Sequence, residues 1–145
     1  MRILIVEDDP VLALVAAEIL EEEGHQIVGP AHDLPSALQA ADHGNFDVAF
    51  VDINLAGHDE GIEFSKYLLE RRGIHSLYVS GQYKSALSGS ATAIGLLSKP
   101  YSLDDLISAA LITQSWLANE CTDVPKPSTL TIFGSRPKLE GSEHE

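Results

Sequence analysis

Five short apolar runs, Ile3–Val6, Gln26–Gly29, Val48–Val51, Leu77–Val79 and Ile94–Leu97, punctuate the first hundred residues at fairly even spacing. Each is continuous rather than alternating, which is the pattern of a parallel strand covered on both faces. Between the runs lie segments of helical period. Pro10 to Glu22 opens with Asp9 as N-cap and Pro10 at the first helical position, and Gly24 ends it. Its apolar residues fall on two rows, Val11-Val15-Ile19 and Leu12-Ala16-Leu20. Further helices are predicted over Pro35–Ala41, over Gly61–Arg72 with Gly73 as its stop, and from Leu103 to about Asn119. The last is capped by Ser102, and Asp104 and Asp105 suit the positive end of its dipole. The fourth helix should lie in Tyr83–Thr92, but serines and a glycine stand there in place of helix formers. A βα unit repeated five times predicts a doubly wound α/β sheet with a weak or shortened fourth helix.

Charge excludes two classes of partner. Acids outnumber bases 22 to 9, a net charge of −13, and no cluster of Lys and Arg is present, so neither nucleic acid nor an anionic membrane is expected. The single cysteine, Cys121, allows no intrachain disulfide and no Cys-based zinc site, and the six histidines show no ligand spacing. Met1 leads directly into the first strand, and the longest apolar stretch, Val11 to Ala17, is too short for a bilayer, which predicts a cytoplasmic protein. From Cys121 the character changes. Pro125, Pro127 and Pro137 with scattered Ser, Thr and Gly predict a flexible tail, 121–145, outside a domain of residues 1–120. The tail holds one β-prone patch, Leu130-Thr131-Ile132-Phe133, and the 25 residues after Glu120 are too few for an effector domain.

The reactive side chains all fall at strand ends. Glu7 and Asp8 follow the first strand, Asp52 closes the third, Ser80 closes the fourth and Lys99 follows the fifth. Carboxyl ends of parallel strands line the ligand crevice of an open α/β sheet, so these five groups should converge. Three converging carboxylates repel one another unless a hard cation such as Mg²⁺ joins them. A cation with Lys99 then makes a site for a phosphoryl group, with the Ser80 hydroxyl as a donor. The chemistry implied is in-line phosphoryl transfer.

Four motifs, Ile-Leu-Ile-Val-Glu-Asp-Asp, Val-Ala-Phe-Val-Asp-Ile-Asn-Leu, Leu-Tyr-Val-Ser-Gly and Leu-Leu-Ser-Lys-Pro-Tyr, resemble a CheY-like response-regulator receiver domain over roughly residues 1–119. The resemblance implies a flavodoxin-like five-stranded sheet of order 2-1-3-4-5. It makes Asp52 the phospho-acceptor, Asp8 a direct Mg²⁺ ligand, Glu7 a ligand through water and Asn54 a ligand by its backbone carbonyl. Ser80 and Lys99 would bind phosphoryl oxygens, Gly81 would keep access to Asp52 open, and Pro100 would follow a cis peptide bond. The implied partners are a histidine kinase or histidine phosphotransfer protein and a downstream protein target. The Asn-Leu-Ala-Gly and Val-Ser-Gly-Gln variants are similar to single-domain regulators of alphaproteobacteria. Three departures stand out: Leu96 replaces the usual aromatic, the loop after Asp52 lacks a proline, and the stretch from Ser80 to Lys99 is short. Readout is therefore expected through Tyr83–Thr92.

Two other classes fit parts of the pattern. A haloacid-dehalogenase-like phosphatase also uses a strand-end Asp, but it needs an acid two residues later, where this chain has Asn54. A phosphorylation-independent interaction module would need no filled pocket, whereas every pocket position here holds a competent residue. On the last helix, Leu103, Leu106, Ile107, Ala110 and Leu117 are expected to meet the sheet, leaving Ile112 and Trp116 pointing outward. An exposed pair of that size predicts a partner. A second protomer or a signalling target ranks ahead of the Leu130–Phe133 patch.

Overall fold

In the computed structural model, which describes residues 1–134, six strands form one sheet in the order β2-β1-β3-β4-β5-β6. Strands β1 (Arg2–Val6), β2 (Gln26–Ala31), β3 (Val48–Val51), β4 (Ser76–Ser80) and β5 (Ala93–Ser98) are parallel. Helices α1 (Pro10–Glu22), α2 (Leu34–His43), α3 (Glu60–Arg72), α4 (Tyr83–Ser88) and α5 (Leu103–Leu117) complete the βα units, with a 3₁₀ turn at Ser90–Thr92 before β5. The doubly wound fold, the 2-1-3-4-5 order and the shortened fourth helix are as expected. Among the described residues no helix is long and apolar enough to cross a membrane. Pro137 and His144 lie outside the described residues.

Strand side chains alternate between two cores. Ile3, Ile5, Val48, Phe50, Leu77 and Val79 pack beneath α1 and α5, while Leu4, Val6, Ala49, Val51, Tyr78 and Leu96 pack beneath α2 and α3. The caps follow the sequence: Asp9 accepts from the N–H groups of Val11 and Leu12, and Ser102 and Asp105 form a reciprocal capping box. Helix α1 meets the sheet through Ala13, Ala17 and Leu20, small enough at two positions to fit between β1 and α5. The expected apolar rows are therefore split, and Val11 (67%), Leu12 (40%), Leu14 (57%) and Val15 (39%) remain exposed.

The brevity of α4 has a packing reason. The hydroxyl of the fully buried Tyr78 donates to the Gly89 carbonyl at 2.9 Å and lies 3.1 Å from Thr92 Oγ1. A Cβ at Gly89 would overlap that hydroxyl and come within 2.9 Å of Ile62 Cγ2. The glycine that weakens the helix thus makes room for the tyrosine.

The tail expectation is corrected for residues 121–134. Leu130–Ile132 forms β6, antiparallel to β5, with Gly95 opposite Ile132, Leu96 opposite Thr131 and Leu97 opposite Leu130. The Ser98 N–H donates to the Thr129 carbonyl at 2.8 Å, and the Phe133 N–H donates to the Ile94 carbonyl at 3.0 Å. Without β6, the outer side of β5 would be an edge of unpaired backbone groups. Leu130 is 1% exposed in the α5-side core, and Lys126 Nζ donates to its carbonyl at 2.8 Å. Residues 135–145 of the expected tail lie outside the described residues.

The expectation for α5 is corrected as well. Its buried residues are Leu106, Ala109, Ala110, Ile112 and Thr113, whereas Leu103 is 46% exposed. Ile112 belongs to the same core as Leu130, and half-buried Trp116 packs against that core with its ring edge-on to His75, centroids 5.1 Å apart. The added strand widens the arc of α5 that faces protein. Ile112 is thus covered within the chain and Trp116 is half covered, which corrects the expectation that both point outward. Leu130→Ala is expected to cost about 2–4 kcal/mol, read as a lower urea midpoint at unchanged m-value. A wild-type midpoint would mean that β6 contributes nothing to the core.

Candidate functional site

Register brings the reactive groups together. Val6 pairs with Val51 and Ser80 with Ser98, so the residues just beyond these pairs leave the sheet side by side. Lys99 Nζ lies 2.8 Å from Glu7 Oε1 and 3.2 Å from Asp52 Oδ2. The other Asp52 oxygen accepts the Asn54 N–H at 3.1 Å, and Glu7 Oε2 accepts the Asp9 N–H at 3.2 Å. Glu7, Asp8 and Asp52 each offer an oxygen within 4.8 Å of the others. Asp8 is exposed, while Glu7 and Asp52 are buried, so this cluster forms a cup open on one side.

Electrostatics follow from that burial. Desolvation pushes the Glu7 carboxyl up to about 7, against the lowering pull of its hydrogen bond from Lys99. Burial would lower the Lys99 ammonium, but its hydrogen bond to Glu7 and the charge of Asp52 outweigh this and hold it above its ordinary value. The pocket therefore carries a fixed cation among carboxylates and room for a second positive charge beside Asp8.

The remaining expected residues lie around this cluster. Ser80 is 2% exposed, and its Oγ accepts the Gln82 N–H at 3.1 Å. Gly81 is exposed, and a Cβ there would meet nothing within 4 Å. Asn54 is half-buried beside Asp52. The Lys99–Pro100 peptide is cis, as the resemblance implied; a second cis bond, Gly29–Pro30, was not expected. Leu96 is fully buried and pairs in register with Tyr78, so the aromatic side chain stands one strand over.

Three neighbours escaped the sequence reading. Tyr101 lines a cavity with Glu7, Leu12, Asp52 and Leu106, and burial raises its phenol. It stands in the Lys-Pro-Tyr motif but was given no role. Gly61 donates its N–H to the Ile53 carbonyl at 2.8 Å, and a Cβ on it would strike the backbone that carries Asp52. His32 Nδ1 sits 3.0 Å from the Glu7 carbonyl, a contact with no local signal in the sequence.

An open parallel sheet with an acidic crevice and a lysine at its carboxyl edge defines a doubly wound α/β domain with its ligand site at the strand ends. Within that class, the response regulator receiver domain family matches residues 3–111, and the chain belongs to that family. It is 34% identical over 148 residues to the transcriptional regulatory protein TcrA of Mycobacterium tuberculosis, covering 99% of this chain and 55% of the relative. The chain thus spans about half the length of that relative. A CheY-like receiver domain protein from Methanospirillum hungatei JF-1 superposes with a TM-score of 0.71 at 25% identity, over 81% of this chain and 96% of its own. The response regulator TrrA of Thermotoga maritima, solved in complex with Mg²⁺ and BeF, gives 0.67 at 26% identity, over 77% of this chain and 96% of its own.

Proposed function

We propose that Asp52 accepts a phosphoryl group from a phosphohistidine of a histidine kinase or phosphotransfer protein, with Mg²⁺ beside it, and that the phosphorylated chain signals by binding a downstream protein. The observation that carries this reading is the placement of Asp52 between the Lys99 ammonium and the open Glu7–Asp8 side of the cup. Hard carboxylate oxygens at this spacing suit Mg²⁺, with Asp8 and Asp52 as direct ligands, Glu7 through water and the Asn54 carbonyl completing the set. The bound ion would neutralise charge on the transferring phosphoryl oxygens. The chain's own part is positioning. The Asn54 N–H fixes one Asp52 oxygen, leaving the other to attack phosphorus as the donor's P–N bond breaks and the imidazole leaves. Lys99 turns from Glu7 to the phosphoryl oxygens, and the Ser80 hydroxyl donates to another.

A protein donor is supported by the surface beside the cup. A groove of about 390 Å³ opens there, lined by Leu12, Val15, Lys99, Pro100, Tyr101 and Leu103, apolar apart from the lysine. Such a groove accepts an amphipathic helix that delivers a reactive side chain to Lys99 and Asp52. Incubation with acetyl phosphate and Mg²⁺ tests the reading by intact mass. One phosphate should be gained and then lost on adding alkaline hydroxylamine; no gain at saturating donor would overturn it.

The raised Glu7 value sets a pH dependence. Mg²⁺ is favoured by the ionised carboxylate, so a proton on Glu7 works against the ion wherever pH lies below about 7. Apparent Mg²⁺ affinity should rise with pH up to that point, by at most about tenfold per unit, and level off above it. Calorimetric titrations from acid to mildly alkaline pH should show this, and Glu7→Gln should flatten the profile. A wild-type affinity independent of pH would contradict the role given to Glu7.

A further inference from the structure

Strand β6, whose pairing the sequence did not foresee, is flanked at one end by a bond to Ser98, next to Lys99, and at the other by a contact with Tyr78, which holds the turn after α4. At the site end, the Ser98 N–H donates to the Thr129 carbonyl at 2.8 Å, while the next residue, Lys99, donates its N–H to the Ser80 carbonyl at 3.1 Å. The Thr129 hydroxyl also donates to the Asp105 carboxylate at 2.9 Å, inside the α5 capping box. The two-residue backbone that carries Lys99 is thereby held between Ser80 on one side and β6 on the other. At the far end, Phe133 packs against Tyr78 with ring centroids 6.3 Å apart, and its N–H donates to the Ile94 carbonyl. Tyr78 sits two residues before Ser80, so both side chains leave β4 on the same face. Its hydroxyl holds the Gly89–Thr92 turn that follows α4.

Both ends of β6 are thus tied to groups that must move when the site is loaded. Lys99 exchanges Glu7 for a phosphoryl oxygen, and Ser80 is drawn toward another. β6 itself is short and tuned to one register. It has three residues and one fully buried anchor, Leu130. Its approach depends on Gly95, where a Cβ would overlap the Thr131 carbonyl oxygen. With Leu96 at the position where an aromatic is usual, the Tyr78–Phe133 ring pair is the aromatic contact that lies between the site and the outer edge of the sheet.

We propose that β6 is a built-in strap on the β5 edge, docked in the resting chain and loosened by phosphorylation of Asp52 through the Ser98–Lys99 backbone and the Tyr78–Phe133 pair. Loosening bares the β5 edge and the α5 flank beneath Leu130. This inference rests on Asp52 being the phospho-acceptor. Coupling between two sites is reciprocal, so if loading loosens the strap, weakening the strap must favour loading of the site.

The test uses the described chain at full length with Mg²⁺ and beryllofluoride, whose binding is followed by the fluorine NMR signal of the bound species. At saturation, amide exchange at Ser98 and Phe133 should quicken about tenfold, with the amides of β1 and β3 unchanged. Gly95→Ala and Phe133→Ala should each bind beryllofluoride about three- to tenfold more tightly than wild type. The second variant removes only a ring and so remains informative if the first fails to fold. Bound fluorine signal with unchanged or slower exchange at Ser98 and Phe133 would overturn the strap while leaving the phospho-acceptor intact. Affinities equal to wild type in Phe133→Ala would do the same. Absence of any bound signal in the wild-type chain would overturn the phospho-acceptor reading, and the strap with it.

Discussion

Asp52→Asn should abolish phosphate incorporation from acetyl phosphate, an expected loss of at least about 100-fold, with the fold retained. The substitution keeps the shape and the oxygen that accepts the Asn54 N–H, but it removes the charge and the nucleophile. Neither neighbour can stand in. Both Glu7 oxygens are engaged, by Lys99 and by the Asp9 N–H, and burial raises that carboxyl above the usual carboxylate range. Asp8 is exposed and makes no ion pair with Lys99 among the described contacts. Intact-mass labelling decides the matter, with circular dichroism as the control for folding. Incorporation near the wild-type rate in Asp52→Asn would place the acceptor elsewhere.

Gly61→Ala should be the most damaging single methyl near the site, costing about 3 kcal/mol and slowing phosphorylation as well. Gly61 is buried at the start of α3, where an added Cβ would overlap the Asp52 carbonyl oxygen and lie 2.5 Å from the Ile53 Cα. Backbone cannot swing aside as a side-chain tip can, so the strand end that carries Asp52 must shift. Gly81→Ala supplies the contrast, since its Cβ would meet open space. It should change stability by no more than about 0.5 kcal/mol. Urea midpoints for the two variants test the pair, and equal effects would show that proximity to the site, rather than contact with its backbone, governs both.

The parallel sheet and the converging strand ends were readable because their signals are local and repeated. Each apolar run is bounded by polar or turn residues, and each reactive group sits one or two steps past its run. The short α4 was legible in Ser85, Ser88 and Gly89, although the reason for Gly89 lies in the Tyr78 hydroxyl, a contact made only once the helix packs back on β4. The β-propensity of the sixth strand was legible in the patch Leu130–Phe133, but its pairing with β5 was not. Its signature stood elsewhere, in Gly95: a glycine within a strand marks close approach by other backbone, here that of Thr131. The α5 faces were misjudged for the same reason. A helical wheel assumes that only five strands underlie the helix, whereas Ile112 is buried in a core that also holds Leu130 of β6. Tyr101 stood in plain view two residues after Lys99 without a role, whereas His32 meets the site only through folding, so spacing could not have found it.

The exposed row on α1 divides two tasks between two kinds of surface. Val11, Leu12, Leu14 and Val15 stand bare on the helix whose far end carries Glu18, Glu21, Glu22 and Glu23. Charge acts at a distance and governs how often a partner arrives, so a net −13 repels acidic proteins before contact and gathers basic ones. Apolar contact acts only after arrival and governs how long the partner stays. Raising ionic strength should therefore slow the capture of a basic partner while leaving its residence time nearly untouched, so that haste and hold are set independently on a single helix.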